Sequence, residues 1–339
     1  MRGFSIIVCC HNSSDRLEST LNCLSNLNND NYFDYEVIVI DNGSTDNTCQ
    51  IAEKYVNEDI FKRCFLVEKK VGKTFALTKG FSHAKYEYFV ICDDDVLLNQ
   101  DYLTSAFEIL ESNQNIGVVG GYGDFEAYHL NLPVWFEQAK GAYALGSQSK
   151  QAGDITNLEG TVWGAGMVIR KEAWIKITNA GFRNYLTGRS GNSVLMAGED
   201  TELCLLIRYF GFKVHYSDRL KYIHNISVKR INWNSVLNLS EGFSRSEVYF
   251  NLYKLLLSNN KDNKYPYINL LLSYTKNILV GFSTIFWFKV HFLTFIENRE
   301  GYFYGLHVRK RYYQLSEIWR IRKQYSKIVQ QILEIKNSI

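Results

Sequence analysis

The chain has 339 residues, of which 46% are hydrophobic and 22% are charged. A chain of this length and apolar content folds around one large core or two smaller ones, and it is too apolar to be disordered. Collagen-like, mucin-like and low-complexity proteins are therefore excluded. The seven cysteines form no CxxC pair, which excludes a zinc ribbon and a disulfide scaffold and is typical of a reduced, cytosolic protein.

The net charge of +3 conceals an asymmetry along the chain. From Ile226 onward, 17 Lys and Arg stand against 7 Asp and Glu, a balance of +10, whereas residues 1–225 have a balance of −7. We therefore divide the chain into a front region, 1–225, and a basic C-terminal region, 226–339. A basic region that alternates with aromatic residues contacts anionic membranes or nucleic acid, and one without such a pattern is simply solvated.

Strands and helices alternate through the first 120 residues. The continuous apolar run Phe4–Cys10 predicts a buried strand, because it is too short for the core of a signal peptide, and Leu17, Leu21 and Leu24 follow at helical spacing. The alternation recurs three times, which predicts a mixed, mostly parallel sheet with helices on both faces. The further predicted strands are Glu36–Ile40, Phe61–Val67 and Tyr86–Cys92, and the further predicted helices are Asn47–Val56, Thr74–His83 and Asp101–Glu111.

From residue 116 onward the pattern is less regular. A fifth apolar run, Ile116–Gly120, and the segment Thr161–Ile169 predict further strands. A helix opens at Gly198-Glu199-Asp200, and two short strands are expected to end near His224. Ligands of such sheets bind beyond the carboxyl ends of the strands, where this chain carries polar residues.

Three consecutive acids, Asp93-Asp94-Asp95, directly follow the fourth predicted strand. Carboxylates two residues apart at a strand end can both face one divalent ion, and oxygen ligands of this kind suit Mg²⁺ or Mn²⁺ that bridges to a diphosphate. One aspartate could instead cap the next helix. Three acids exceed what a cap needs, so the run indicates metal and diphosphate binding.

Taken in order, six motifs give this sequence a specific resemblance. They are SIIVCCHN, VIVIDNGSTDNT, VGKTFALTKG, CDDDV, GAGMVIR and GEDTEL, within residues 4–225. The chain resembles glycosyltransferase family 2, which has the GT-A fold. The resemblance implies an inverting, metal-dependent transfer from a nucleotide-sugar. It makes residues 1–120 the nucleotide-binding half and residues 121–225 the acceptor and catalytic half. It covers residues 226–339, which we expect to be mainly helical, only poorly.

The resemblance assigns roles to residues of the nucleotide-binding half. Asp41 matches the acid that contacts the donor nucleotide, and Asp93 and Asp95 match the DxD acids, with Asp95 the more direct metal ligand. Lys73 lies in a loop near the base and diphosphate in relatives, although a solvated lysine fits the sequence as well. Two further residues are assigned to the nucleotide pocket. Asp94 lies between the two DxD acids, and His11 lies where many relatives have a Pro-Thr-Tyr-Asn run.

The acceptor half supplies the predicted chemistry. Glu199 and Asp200 match the family's acid pair, in which the second acid is the general base that deprotonates the acceptor hydroxyl. A structural role is the alternative, because the helix dipole alone favours acids in a first helical turn. His224 matches a metal-ligating histidine, whereas His215 lacks that match. Trp163, Gly164 and Ala165 fall in the segment that forms the floor under the donor sugar in relatives.

The predicted function is therefore an inverting glycosyltransferase that uses Mn²⁺ or Mg²⁺. Its donor is a nucleotide-sugar, by resemblance a UDP-sugar, and its acceptor is a glycan or a lipid-linked glycan of bacterial surface-polysaccharide assembly. Two alternatives stand beside it. A non-catalytic scaffold subunit would require loss of a motif acid, and a sugar-nucleotide pyrophosphorylase would carry a glycine-rich loop where this chain reads CCHNSSDR.

The C-terminal region contains one long apolar segment. Tyr265–Ile296 carries only two full charges, and its longest uncharged run, Asn277–Phe288, has 12 residues, short of the ~20 that span a bilayer. We therefore predict no membrane span and a cytoplasmic protein.

The last helical segment is basic and amphipathic. Tyr312 and Trp319 lie on one helical stripe, and Arg309, Lys310 and Arg311 lie off it. Such a segment predicts either peripheral contact with the cytoplasmic face of an anionic inner membrane, or packing on the catalytic domain or in a homodimer. Nucleic acid is not an expected partner, because the front region is acidic rather than basic.

Overall fold

The computed structural model describes residues 1–28, 32–57, 63–126, 131–182, 185–186, 196–257, 268–269, 271–275 and 300–337. The strands are β1 (Gly3–Cys10), β2 (Asp34–Asp41), β3 (Arg63–Val67), β4 (Tyr88–Asp93), β5 (Val96–Leu98), β6 (Ile116–Asp124), β7 (Gly153–Asp154), β8 (Val168–Arg170) and β9 (Lys213–His224). The helices are α1 (Leu17–Ser25), α2 (Thr48–Asn57), α3 (Lys73–His83), α4 (Tyr102–Ser112), α5 (Phe136–Ala139), α6 (Lys171–Asn179), α7 (Glu199–Tyr209), α8 (Trp233–Leu257), α9 (Phe303–Ile321) and α10 (Tyr325–Asn337), with 3₁₀ turns at Lys140–Tyr143 and Val228–Arg230.

The strands form one mixed sheet with the order β3-β2-β1-β4-β8-β6-β9-β5, and β7 pairs with β9 at its side. The first four strands are parallel. Strand β8 is antiparallel to both neighbours, and β6 and β9 are parallel again. The predicted mixed sheet with helices on both faces is confirmed, and the C-terminal region is helical as expected.

Side-chain alternation along β1 explains why both faces of the sheet are covered. Phe4, Ile6 and Val8 face one core together with α1, α2 and α4. Ile7 faces the opposite core together with α3, α6, α7 and the C-terminal helices. A strand that is buried on both faces reads as the continuous apolar run seen in the sequence.

Two predicted elements were wrong in detail. The strand predicted over Thr161–Ile169 begins only at Val168, because Gly166 has a φ of +70° and the Met167 N–H donates to the Gly164 carbonyl in a turn. The two short strands expected before His224 are the single strand β9. Its exposed charged residues near 218 resemble a break in the sequence, but the backbone pairing with β6 continues past them.

The short strand β5, which the sequence analysis missed, fixes the end of β9. Val96 pairs with His224 in an antiparallel register, and the Asn225 N–H donates to the carbonyl oxygen of Asp95 at 2.7 Å. Asp95, which directly precedes β5, and His224, the last residue of β9, are thereby placed side by side.

The helices of the C-terminal region pack on α7, within residues 121–225. Helix α8 contacts α7, and the Tyr253 hydroxyl donates to the Glu202 carboxylate at 2.8 Å. Helices α9 and α10 pack on α8, and buried Glu317 accepts a hydrogen bond from the Tyr249 hydroxyl at 2.9 Å. Helix α9 ends at Ile321, and a short turn at Arg322 separates it from α10.

The membrane prediction is tested only in part. No helix within the described ranges is long and apolar enough to cross a bilayer. The predicted apolar segment Tyr265–Ile296 lies outside the described residues except at 268–269 and 271–275. On α9, Tyr312 and Trp319 are exposed, and the buried side chains are Gln314, Glu317, Ile318 and Ile321.

The packing of α10 predicts a stability effect. Ile332 is fully buried in the core shared with α7 and α8. Ile332→Ala should therefore lower the free energy of unfolding by about 2–5 kcal/mol, through lost burial and the cavity left behind. Urea denaturation measures this change. Glu334→Ala, on the exposed side of the same helix, is the control, and equal stability of the two variants would contradict the packing of α10 as a core element.

Candidate active site

A cleft of about 550 Å³ opens where the carboxyl ends of the strands meet. It lies between the loops after β1, β2 and β4 on one side and the start of α7, the end of β9 and α8 on the other. The predicted residues that line it are His11, Lys73, Asp93, Asp94, Asp95, Glu199, Asp200 and His224. Residues from five separate stretches of sequence thus share one cavity.

Asp95 and His224 form a buried pair at the base of the cleft. Their side chains are 7% and 9% exposed, and His224 Nε2 lies 3.2 Å from Asp95 Oδ1. The Arg230 guanidinium donates to the other carboxylate oxygen at 3.0 Å. Burial alone would raise the pKa of Asp95, but His224, Arg230 and Arg16 overcome that effect and lower the pKa to about 2. Asp95 is therefore ionised at any physiological pH.

The histidine ring is oriented by the backbone. His224 Nδ1 lies 2.8 Å from the Tyr143 carbonyl oxygen, which can only accept a hydrogen bond, so Nδ1 carries a proton. Nε2 then faces a carboxylate oxygen, and that contact is favourable only with a proton or another cation between the two atoms. Neutral imidazole and carboxylate are ligands that Mn²⁺ accepts, so Asp95 and His224 fit a divalent metal.

Asp93 faces a different partner. The Lys73 ammonium, at the first position of α3, lies 2.5 Å from Asp93 Oδ1. Burial lowers the pKa of Lys73, but the charges of Asp93 and Glu199 outweigh it, so the pKa is raised overall and the lysine stays charged. Within the described ranges no three His, Cys, Asp or Glu side chains converge as a ready-made metal site. Asp93 can join Asp95 as a ligand only by leaving Lys73.

Asp94 is held by the β1–α1 loop. The Arg16 guanidinium donates to both of its oxygens, at 2.9 and 3.2 Å, and the Ser13 hydroxyl also donates to it. Burial and the charge of Asp95 raise the pKa of Asp94, and Arg16 opposes them. The three consecutive acids thus have three different cationic partners.

The loop after β2 forms one wall of the cleft. Buried Asp41 accepts the backbone N–H groups of Gly43 and Ser44 at 3.2–3.3 Å, so it stabilises its own turn. His11 lies in the loop after β1, and its Nδ1 is 2.9 Å from the carbonyl oxygen of Asn42, the residue after Asp41. The Asn42 amide bridges to the loop before Lys73, donating to the Lys70 carbonyl at 2.8 Å and accepting from the Gly72 N–H at 2.7 Å.

Glu199 and Asp200 form the first turn of α7 after Gly198, whose φ of +105° favours glycine. Asp200 accepts the N–H of Gly164 at 2.8 Å and that of Thr201 at 2.7 Å. Burial raises the pKa of Asp200, and these two hydrogen bonds oppose the rise. Burial also raises the pKa of Glu199, against the charge of Lys73. Asp200 is thus an oriented carboxylate with an increased tendency to take a proton.

The predicted floor segment lies beside this acid pair. The backbone N–H of Gly164 donates to Asp200, and a Cβ on Gly164 would lie 3.5 Å from Asp200 Cβ, which is ordinary van der Waals contact. The backbone N–H of half-buried Trp163 donates to the Gln148 side chain at 2.5 Å, and Ala165 is buried.

Four cleft residues were missed by the sequence analysis: Arg16, Asn42, Tyr143 and Arg230. Arg230 lies in a short 3₁₀ turn six residues after His224, and no pattern in the sequence distinguishes it from the other basic residues of the C-terminal region. Tyr143 acts through its carbonyl oxygen, which any residue could supply. Arg16 had a signal, since a basic residue in the first turn after the strand-one motif can reach the strand-four acids.

Comparison with known proteins places these residues in a family context. The family model described as glycosyl transferase family 2 matches residues 5–177, about half of the chain. The match ends within α6, so Asp200 and His224 lie beyond it.

Curated relatives match over a shorter stretch. The poly-beta-1,6-N-acetyl-D-glucosamine synthase of Staphylococcus epidermidis is 32% identical over 121 residues, which cover 36% of this chain and 28% of the relative. The synthase of the same name from Staphylococcus aureus strain MSSA476 matches to the same extent. The match thus spans less than a third of these relatives.

Solved structures share the fold over more of the chain. The crystal structure of S. aureus TarS 1–349 has a TM-score of 0.52 at 18% identity and covers 96% of this chain and 91% of that one. The same protein in complex with UDP-GlcNAc has a TM-score of 0.51 at 16% identity and covers 72% and 66%. At this identity the likeness shows the fold alone.

A third acid of α7 is buried behind the cleft. Glu202 is fully buried and accepts hydrogen bonds from the Tyr253 hydroxyl and from the backbone N–H groups of Tyr185 and Leu186. Burial raises the pKa of Glu202 to about 7 in spite of these donors. Glu202 therefore links α7 to α8 with a carboxyl group that titrates near neutrality.

This raised pKa predicts a pH-dependent stability. Between its ordinary pKa of 4.5 and about 7, the folded state keeps a proton that the unfolded state releases. Stability should therefore fall as the pH rises through this window, by on the order of 3 kcal/mol. Glu202→Gln should remove that part of the dependence, as measured by urea denaturation at pH 5 and pH 8. Glu334→Gln, at an exposed position, is the control, and an unchanged pH dependence in Glu202→Gln would contradict the assignment.

Proposed function

The chain belongs to glycosyl transferase family 2, and on that premise we propose that it transfers a sugar from a nucleotide-sugar to a hydroxyl group of an acceptor, with inversion at the anomeric carbon. One observation carries the proposal. The metal-type pair Asp95 and His224 and the oriented carboxylate of Asp200 line the same cleft, although 105 residues of sequence separate the two aspartates.

We further propose a UDP-sugar as the donor. The curated relatives are named as synthases of a polymer of N-acetyl-D-glucosamine, and the TarS structure was solved with UDP-GlcNAc. UDP-N-acetylglucosamine is therefore the first donor to test. The loops after β1 and β2, with His11, Asp41 and Asn42, are the proposed site of the nucleotide base and ribose.

The proposed metal is Mn²⁺ or Mg²⁺. Asp95 and His224 would hold it, with Asp93 available after release from Lys73 and with donor phosphate oxygens as further ligands. When bound, such an ion offsets the negative charge of the departing nucleoside diphosphate. Lys73 and Arg230 bring two more positive charges to the same part of the cleft, and both support this role.

Asp200 is the proposed general base. Its two backbone hydrogen bonds orient the carboxylate, and its raised pKa favours acceptance of a proton. The acceptor hydroxyl gives its proton to Asp200 as its oxygen bonds to the anomeric carbon. The bond from that carbon to the phosphate oxygen breaks on the opposite side, and the nucleoside diphosphate leaves.

Three further expectations from the sequence stay predictions: a glycan or lipid-linked acceptor, a cytoplasmic location with peripheral membrane contact, and a homodimer. The membrane prediction has one supporting feature. Trp319 and Tyr312 are 67% and 59% exposed on α9, and the Arg322 guanidinium lies 4.1 Å from the Trp319 ring centroid. Exposed aromatic rings beside cations are typical of interfacial helices.

The metal assignment predicts different outcomes at adjacent aspartates. Asp95→Asn keeps the size of the side chain but loses the charge, so it should lower UDP affinity in the presence of Mn²⁺ at least tenfold. We use asparagine rather than alanine because Asp95 is buried between His224 and Arg230, and not exposed as the strand-end position had suggested. Asp94→Asn should keep the Mn²⁺-dependent gain, since its carboxylate is held by Arg16 and Ser13. Calorimetry with UDP and Mn²⁺ measures both, and equal losses would contradict the assignment.

The base assignment predicts that Asp200→Asn keeps donor binding and loses transfer. The amide preserves the shape of the side chain but cannot accept the hydroxyl proton, so kcat should fall by about 10²–10⁴-fold with UDP affinity unchanged. Transfer from radiolabelled UDP-N-acetylglucosamine and calorimetry with UDP give the two quantities. Asp218→Asn, at an exposed position of β9, is the control. Near-wild-type turnover of Asp200→Asn would eliminate Asp200 as the base.

A further inference from the structure

A second cavity, here called the side groove, opens beside the catalytic cleft. It has a volume of about 270 Å³ and lies between the turn after α5, the middle of α8 and the first half of α9. Gln138, Ser240, Phe243, Glu247, Leu306 and Lys310 are among the residues that line it. None of them takes part in the proposed transfer reaction.

The side groove adjoins the catalytic cleft. Ala142 and Phe243 line both cavities. Along α8, Leu239 lines the cleft and Ser240 lines the side groove, so the helix passes from one cavity to the other within one turn. A ligand that extends from Asp200 past Phe243 would therefore reach the side groove.

The walls of the side groove combine exposed rings with polar groups. Phe243 is 41% exposed, more than any other phenylalanine that the structure describes, and half-buried Phe303 lies on the facing helix. Gln138 and Ser240 add an amide and a hydroxyl to the same surface. A sugar ring presents C–H groups on its faces and hydroxyls at its edge, so it matches an aromatic surface with a few polar groups beside it.

The charges of the side groove exclude an anionic preference. Lys310 is the cation on its wall, and its ammonium lies 2.6 Å from a carboxylate oxygen of Glu247. The Gln314 amide donates to the same oxygen at 2.7 Å. Within the described residues, the charged side chains that line the side groove thus balance to zero, and no pair like Asp95 and His224 of the cleft, which fits a metal ion that can bridge to an anion, lies among them.

We propose that the side groove is an acceptor subsite for a neutral glycan. It receives the sugar behind the one whose hydroxyl faces Asp200, so acceptors with two or more sugars bind more tightly than single sugars. The orientation of the glycan rests on the proposed function, because it takes Asp200 as the base. The turn after α5 and the helices α8 and α9, which lie largely outside the segment matched by the family model, thereby determine which acceptor is used.

The test uses the full chain and an array of immobilised neutral and acidic oligosaccharides of one to five sugars, probed with UDP and Mn²⁺ present. The wild-type chain should bind neutral oligosaccharides of two or more sugars. Ser240→Trp should fill the side groove and weaken this binding at least tenfold. Asn238→Trp, an equal substitution at an exposed position two residues away on α8, should bind as the wild type does. Leu306→Ala, a smaller change on the facing helix, should weaken binding about threefold and serves if Ser240→Trp fails to fold.

Several outcomes would overturn the inference. These are neutral-glycan binding that neither Ser240→Trp nor Leu306→Ala changes, binding of acidic glycans only, and no glycan binding by a wild-type chain that does bind UDP. A free polyprenyl phosphate is a further probe. If it competes with the glycans for the wild-type chain, and Ser240→Trp abolishes that competition, the side groove binds a lipid and the inference is overturned. Calorimetry with UDP and Mn²⁺ on the wild-type chain tells these failures apart from failure of the proposed function, in which UDP itself does not bind.

Discussion

The antiparallel pairing of β5 with β9 is the constraint on which the site depends. Strand β5 is only three residues long, yet its register sets Val96 opposite His224 and so brings Asp95 to the histidine. Burial makes this contact strong, because opposite charges interact most strongly where water is excluded. It also makes the contact costly to leave incomplete, since an unpaired buried carboxylate would shift its pKa or unfold the region. The Arg230 turn after β9 completes the pair.

The rest of the cleft follows the same rule of charge balance. Each of the three consecutive aspartates has its own cation, and each cation comes from a different part of the chain: Arg16 from the loop before α1, Lys73 from α3 and Arg230 from the turn before α8. In this arrangement the described acids do not converge on one point. The diphosphate of the proposed donor would bring negative charge that competes for Lys73 and Arg230, so its binding would be coupled to release of the acids from their cations.

The sequence predicted the parts of this arrangement that local patterns determine. The run Phe4–Cys10 is buried on both sides, as its continuous apolar character indicated, and the motif acids occupy strand and helix ends where alternation of strands and helices placed them. It did not predict β5, because three residues are too few for a periodic signal. Arg230 was also missed, since its role depends on where β9 ends in space. The burial of Asp95 could not be predicted either, because a strand end is typical of the surface when the opposing strand is unknown.

The bond between Glu202 and Tyr253 has a consequence for how this protein can be recombined with its relatives. The hydroxyl belongs to the C-terminal region and the acid to the catalytic helix, so the two regions share a buried polar contact across their boundary. A chimera that joins these 225 residues to the C-terminal helices of another family member leaves Glu202 without this donor unless the incoming helix carries a hydroxyl at the equivalent place. The helical region therefore cannot simply be exchanged to change the acceptor specificity. In such a hybrid, the residue of the incoming helix that meets Glu202 has to be chosen before any other contact is designed.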